Sequence, residues 1–139
     1  MTLASQIFNN IIQNTSFKVL AILIIMDIVF GVLRAIKEGV ANSTIGIDGM
    51  IRKTAMLMSV VFMCALDTVM DFNLIGFIPE KIKIALNFER VGFNDLFNIL
   101  YIIFEFLSVL KNMIKCKLPI PKKFQKWLED VLSKYTNEL

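Results

Sequence analysis

VLAILIIMDIVFGVL, residues 19–33, carries a single ionisable side chain, Asp27, and is bounded by Lys18 and Arg34. The run is too long for an ordinary strand and does not alternate polar with apolar residues, so it predicts a helix. It also lacks the broad polar face of a helix on a water-soluble domain. Two further stretches repeat the pattern: Thr54 to Met70 is interrupted only by Asp67, and Leu96 to Leu110 only by Glu105. A helix that crosses the hydrocarbon core needs about 20 mostly apolar residues. With their flanks the three stretches reach that length at 17–36, 54–71 and 94–114. The implied fold class is an all-α integral membrane protein, one membrane domain over residues 1–139 with three transmembrane helices.

Composition points the same way. The chain is 56% apolar and 19% charged, with a mean hydropathy of +0.66, against about 45–50% and about 25% for soluble domains. A soluble core in so short a chain could not bury that much apolar surface. A soluble three-helix bundle is the alternative, and the missing polar faces argue against it. Histidine is absent, and Cys64 and Cys116 lie far apart without a CxxC. That pattern excludes a zinc site, a haem ligand and a histidine-based triad, so no metal and no cofactor is expected. Without a phosphate-binding glycine loop or a nucleophile elbow, no enzymatic activity is expected either.

The connections and ends complete the plan. Residues 37–53, with Gly39, Gly46 and Gly49, read as a loop. Residues 72–93, with Pro79, read as a second loop with room for a short interfacial helix. In the N-terminal segment 1–16, Leu3, Ile7, Phe8, Ile11 and Ile12 share a helical face opposite Ser5, Gln6, Asn9 and Gln13. This segment has no basic start, and its asparagines interrupt any apolar run, so it does not resemble a cleaved signal. In the C-terminal tail 119–139, Phe124, Trp127, Leu128, Val131, Leu132 and Tyr135 oppose Lys123, Lys126, Glu129, Asp130 and Lys134. Pro119 and Pro121 set the start of this amphipathic helix. Lys122, Lys123, Lys126 and Trp127 suit the surface of an anionic leaflet, although a tail packed on its own protomer would show the same pattern. The basic residues Lys111, Lys115, Lys117, Lys122, Lys123, Lys126 and Lys134 place the C-terminus in the cytoplasm and, with three spans, the N-terminus outside. Lys81, Lys83 and Arg90 in the second loop are diluted by Asp71, Glu80 and Glu89.

Each of the three apolar stretches contains one acid. An ionised carboxylate at mid-bilayer costs about 2.5–3.5 kcal/mol on insertion scales, so Asp27, Asp67 and Glu105 are expected to face helices or water. Asp27, Gly31 and Arg34 share a face, which lets Arg34 approach Asp27 or an acid on a neighbouring chain. Gly31 with Ala35 makes a small-xxx-small pair suited to close helix approach. In the third span Asn94, Asn98, Tyr101, Glu105, Ser108, Asn112 and Lys115 recur every three or four residues as a narrow polar stripe. Such a stripe either hydrogen-bonds to neighbouring helices or lines water. One acid per helix would also fit a proton relay, but the internal repeats and broken helices of transporters are absent.

Three stretches together resemble the phage lysis and toxin-secretion holins of Gram-positive bacteria and their phages. They are Asp27-Ile-Val-Phe-Gly31 with the following Asn42-Ser43-Thr44 and Gly49-Met-Ile-Arg-Lys53, Asp67 late in the second helix, and Glu105-Phe-Leu-Ser108-Val-Leu-Lys-Asn112 with Leu118-Pro119-Ile120-Pro121. The match covers residues 25 to 125 in order. Lys111 stands where the family tends to have Glu, and Lys117 occupies the region of a common glycine. The resemblance implies a homo-oligomer in the bacterial cytoplasmic membrane that opens lesions at a set time. Those lesions would release or activate an endolysin, or export a large toxin. A small ion channel and a membrane-anchored antagonist or scaffold are the alternatives.

Overall fold

A computed structural model describes residues 2–40, 43–86 and 90–135. Among these, six α-helices follow one another: α1 (Leu3–Gln13), α2 (Thr15–Glu38), α3 (Ser43–Met70), α4 (Glu80–Leu86), α5 (Phe93–Lys115) and α6 (Lys122–Tyr135). A single 3-10 turn, Leu74–Phe77, precedes α4. No strand occurs among the described residues. Thr15–Glu38, Gly46–Met70 and Phe93–Lys115 are long and apolar enough to cross a membrane. The expected all-α architecture with three spans and helical ends is therefore present.

Local chemistry explains where the helices begin and end. Asn14 caps α2 by accepting the Phe17 N–H at 2.9 Å, which satisfies one of the donors left open at a helix start. Gly39 ends α2 in the left-handed region (φ 67°), where glycine has no steric penalty. Asp71, with φ 49°, takes the corresponding position after α3. Lys117 (φ 58°) turns the chain after α5 ahead of Pro119 and Pro121.

Partner pairs give the topology. Asn14 meets Asp95, Arg34 meets Asn112 and Lys37 meets the Cys116 carbonyl, so α2 and α5 run parallel. Lys53 meets Glu105, Ser59 meets Tyr101 and Asp67 meets Phe93, so α3 runs antiparallel to both. Alternating direction is what three successive spans require. Leu20, Ile24 and Val60 form the small apolar core between them, with Phe17, Leu57, Phe97 and Ile102 packed around it. Elsewhere the spans present large apolar side chains outward, including Ile25, Val32, Phe62, Ile103 and Phe104. This is the surface of a protein solvated by lipid.

The ends behave differently from each other. α1 lies beside the C-terminal part of α3, where Asn10 reaches Thr68 at 3.2 Å. Of its apolar face, Ile11 is buried while Leu3, Phe8 and Ile12 look outward. α6 touches α5 through Leu128, which is fully buried against Leu110. Lys122, Lys123, Lys126 and Trp127 are all exposed.

The loop expected at 37–53 is much shorter than its glycines suggested. Helix resumes at Ser43 and runs through Gly46 and Gly49; residues 41–42, including the Asn42 of the expected loop, lie outside the described residues. Each glycine costs a helix about 1 kcal/mol relative to alanine. In lipid, however, an unwound backbone loses far more, because its polar groups have no water to bond. The second span accordingly runs continuously from that turn to Met70, beyond the expected 54–71. The 72–93 connection contains the 3-10 turn and α4, in line with the short helix allowed for there. Glu89 and residues 136–139 lie outside the described residues, as do the side chains of Leu132 and Tyr135.

Candidate functional site: an ionic seam between three spans

The two acids near the middle of α2 and α5 share one cation. The Lys53 ammonium stands 2.7 Å from Asp27 Oδ2 and 2.5 Å from Glu105 Oε2. All three side chains are largely withdrawn from the surface, with 5–12% of their side-chain area accessible. Asn112 extends the cluster: its Nδ2 donates to Asp27 Oδ1 at 2.8 Å, and its Oδ1 accepts from Arg34 Nη1 at 3.2 Å. Arg34 also pairs with Glu38 at 3.1 Å. Two helical turns of α5, from Glu105 to Asn112, thus close onto α2 and α3 through charge and amide contacts.

This arrangement corrects one expectation. Arg34 does not neutralise Asp27; Lys53 does, and Arg34 reaches the seam through Asn112. Lys53 went unrecognised because 37–53 read as a loop. The available signal was the charge balance, since intramembrane acids need cations, but Arg34 on the face of Asp27 was the nearer candidate. Gly31 faces Asn112, but a Cβ there would meet Asn112 Nδ2 at 3.7 Å, an ordinary contact. Close packing within the protomer therefore does not require that glycine.

The polar stripe of α5 faces inward. Asn94, Asn98, Glu105 and Asn112 are buried, while Tyr101, Ser108 and Lys115 are half-buried. Tyr101 shares a hydrogen bond with Ser59 of α3 at 2.9 Å. Asn98 donates Nδ2 to Asn94 Oδ1 at 3.0 Å, whereas its fully enclosed Oδ1 has no partner among the described residues. A buried acceptor left open costs about 1–3 kcal/mol.

The third acid is held in another way. Asp67, from α3, accepts the Phe93 and Asn94 N–H groups at 3.0 and 2.8 Å, capping α5 from a different helix. Carboxylates belong at helix N-termini, where open N–H donors and the helix dipole favour negative charge. Gly92 gives the carboxylate room, because a Cβ there would overlap it. Asn14 donates to Asp95 Oδ1 at 2.9 Å, and Arg90 donates to the carbonyls of Asp67 and Phe72. Gln6, Asn10 and Asn14 line an open pocket of about 410 Å³ together with Asp67, Arg90 and Asp95. Gln6 and Asn10 of α1 stand exposed at its edge, whereas Ile11 is the residue that α1 buries. No group of His, Cys, Asp and Glu suited to a metal ion exists among the described residues.

Three apolar spans, closed on a buried ionic seam and flanked by amphipathic helices, define a small polytopic membrane protein. The chain belongs to the bacteriophage holin family, whose model matches residues 5–133. It is 36% identical over 127 residues to the holin-like protein TcdE of Clostridioides difficile, covering 91% of this chain and 76% of that protein. No solved structure matches it.

Proposed function

We propose that copies of this chain accumulate in a bacterial cytoplasmic membrane, oligomerise, and open lesions abruptly at a set time. Those lesions release or activate an endolysin, or export a large toxin. The observation that carries the mechanism is the seam. Asp27, Lys53, Glu105 and Asn112 satisfy one another inside a single protomer, so the subunit can reside in lipid without exposing charge. Assembly that parts α5 from α3 would turn the same groups towards water and give a lumen its polar wall. The stripe residues Asn94, Asn98, Tyr101, Glu105, Ser108 and Asn112 are the candidates for that wall.

The proposed orientation is N-terminus outside and C-terminus cytoplasmic. Pairing of Arg90 with Asp71 and of Lys83 with Glu80 offsets basic charge on the outer side. The uncompensated bias then lies at the α6 end, where exposed Lys122, Lys123 and Lys126 would rest on anionic lipid.

The test is lysis timing. Expressed with a cytoplasmic endolysin, the chain should leave culture turbidity rising, then collapse it suddenly, and a depolarising poison should advance the collapse. Glu105→Gln should shift the onset more than changes at Phe104 or Leu107 do. Gradual leakage without collapse would favour a small channel. Steady growth despite confirmed insertion would favour an antagonist.

A further inference from the structure

α2 and α3 both pack on α5 and meet each other at the Leu20–Ile24–Val60 core; towards the Gly39 turn a space lies between them. The space between them is a groove of about 1410 Å³, lined by α2 from Asp27 to Ile36 and Val40 just after it, by α3 from Gly46 to Met58, and by the end of α5. It is larger than the roughly 300–1,000 Å³ that encloses a small molecule. One wall is apolar, with Ile36, Val40, Ile47, Met50 and Met58. The remainder is basic: Arg34, Arg52, Lys53, Lys111 and Lys115 line it, against Asp27 as the sole carboxylate among the described lining residues.

Arg52 decides what fills the groove. It is exposed and makes no ion pair among the described residues. It also lies one residue from Lys53, which pairs with Asp27 near the middle of α2, so its backbone sits deep in the span. A guanidinium at that depth needs an anion or a path to the headgroups, which its long side chain can provide. A second copy offers no buried acid for it. Asp27, Asp67 and Glu105 are all committed within their own protomer. Asp48, one turn before Arg52, forms no ion pair with it either.

We propose that this groove holds an anionic phospholipid, its phosphate on Arg52 and its acyl chains along the apolar wall. A phosphate matches the forked donors of arginine, and a lipid supplies the charge and the hydrocarbon in one ligand. The inference rests on the membrane-spanning reading. Its test uses no lysis assay, so it can fail while the lytic reading stands, and the reverse.

The experiment is native mass spectrometry of the full chain in mixed micelles containing phosphatidylglycerol or phosphatidylcholine at equal concentration. The wild type should retain phosphatidylglycerol preferentially. Arg52→Gln should lower that retention about fivefold, the effect of one basic side chain at an anionic surface, and Arg52→Lys should keep most of it. Asp48→Asn should leave retention unchanged or higher, and excess inorganic phosphate should not displace the lipid. Equal retention of the two lipids, or no loss in Arg52→Gln, would overturn the proposal. So would displacement by phosphate, which marks a bare anion site. A disulfide between protomers through Met58→Cys, persisting in excess phosphatidylglycerol, would give the groove to a second copy and also overturn it.

Discussion

The two ends of the bundle bury acids by opposite means. At the α1 end, Asp67 is held by backbone N–H groups of α5, and separating it uncaps a helix. In the middle and towards the α6 end, Asp27 and Glu105 are held by one flexible lysine rooted in a third helix. The first contact is a joint: it fixes where α5 starts relative to α3. The second is a latch, because side chains can exchange partners without unwinding any backbone. A protein that must stay inert and then rearrange needs both, and they are separated along the same three helices.

The comparison breaks first at Lys53. Lys53→Met leaves two carboxylates without their cation, and removing one member of a buried ion cluster costs about 3–5 kcal/mol. Thermal unfolding in detergent should show this as the largest loss of any single substitution in the spans. Adding Asp27→Asn and Glu105→Gln to the same chain should restore much of it. If the triple variant stays as unstable as the single one, Lys53 contributes by packing and the latch is misassigned.

How much of this was legible follows from the same residues. The spans and amphipathic ends could be read because lipid imposes a simple rule, long apolar runs with few charges. That Asn94, Asn98, Glu105 and Asn112 share one face followed from helical spacing, which left open whether that face meets helices or water; in the protomer the four are buried. Lys53 was masked by its glycine-rich setting, because glycines weigh against helix in water, and sequence patterns encode that preference better than the demands of a bilayer. The role of Asp67 was also hidden: Gly92 at the N-cap has no side chain, and the helix's own Asp95 accepts only the Gly92 N–H, so nothing local shows that the Phe93 and Asn94 donors are met from a distant helix.

The joint should give a smaller effect. Gly92→Ala places a methyl on the Asp67 carboxylate and displaces the cap, with an expected loss of about 1–3 kcal/mol. Hydrogen exchange should rise in the first turn of α5 and stay unchanged around Asn112. Exchange rising equally at both ends would mean joint and latch are one unit. Smaller again is Ser59→Ala, which removes the neutral Tyr101 contact between the two regions. It should cost about 0.5–1.5 kcal/mol and leave lysis onset close to that of the wild type. A large shift in onset would extend the latch as far as Ser59.

The latch is tested most directly by whether water reaches the stripe only when lesions form. With Cys64 and Cys116 replaced by serine, Ser108→Cys places a thiol on the stripe, and Phe104→Cys places one on the outward face of the same helix. Cells are treated with a membrane-impermeant maleimide before and after the onset of lysis. The account predicts no labelling at either position before onset, then labelling at Ser108→Cys alone. A Ser108→Cys thiol that stays unlabelled after holes have opened would make the seam permanent and contradict the account.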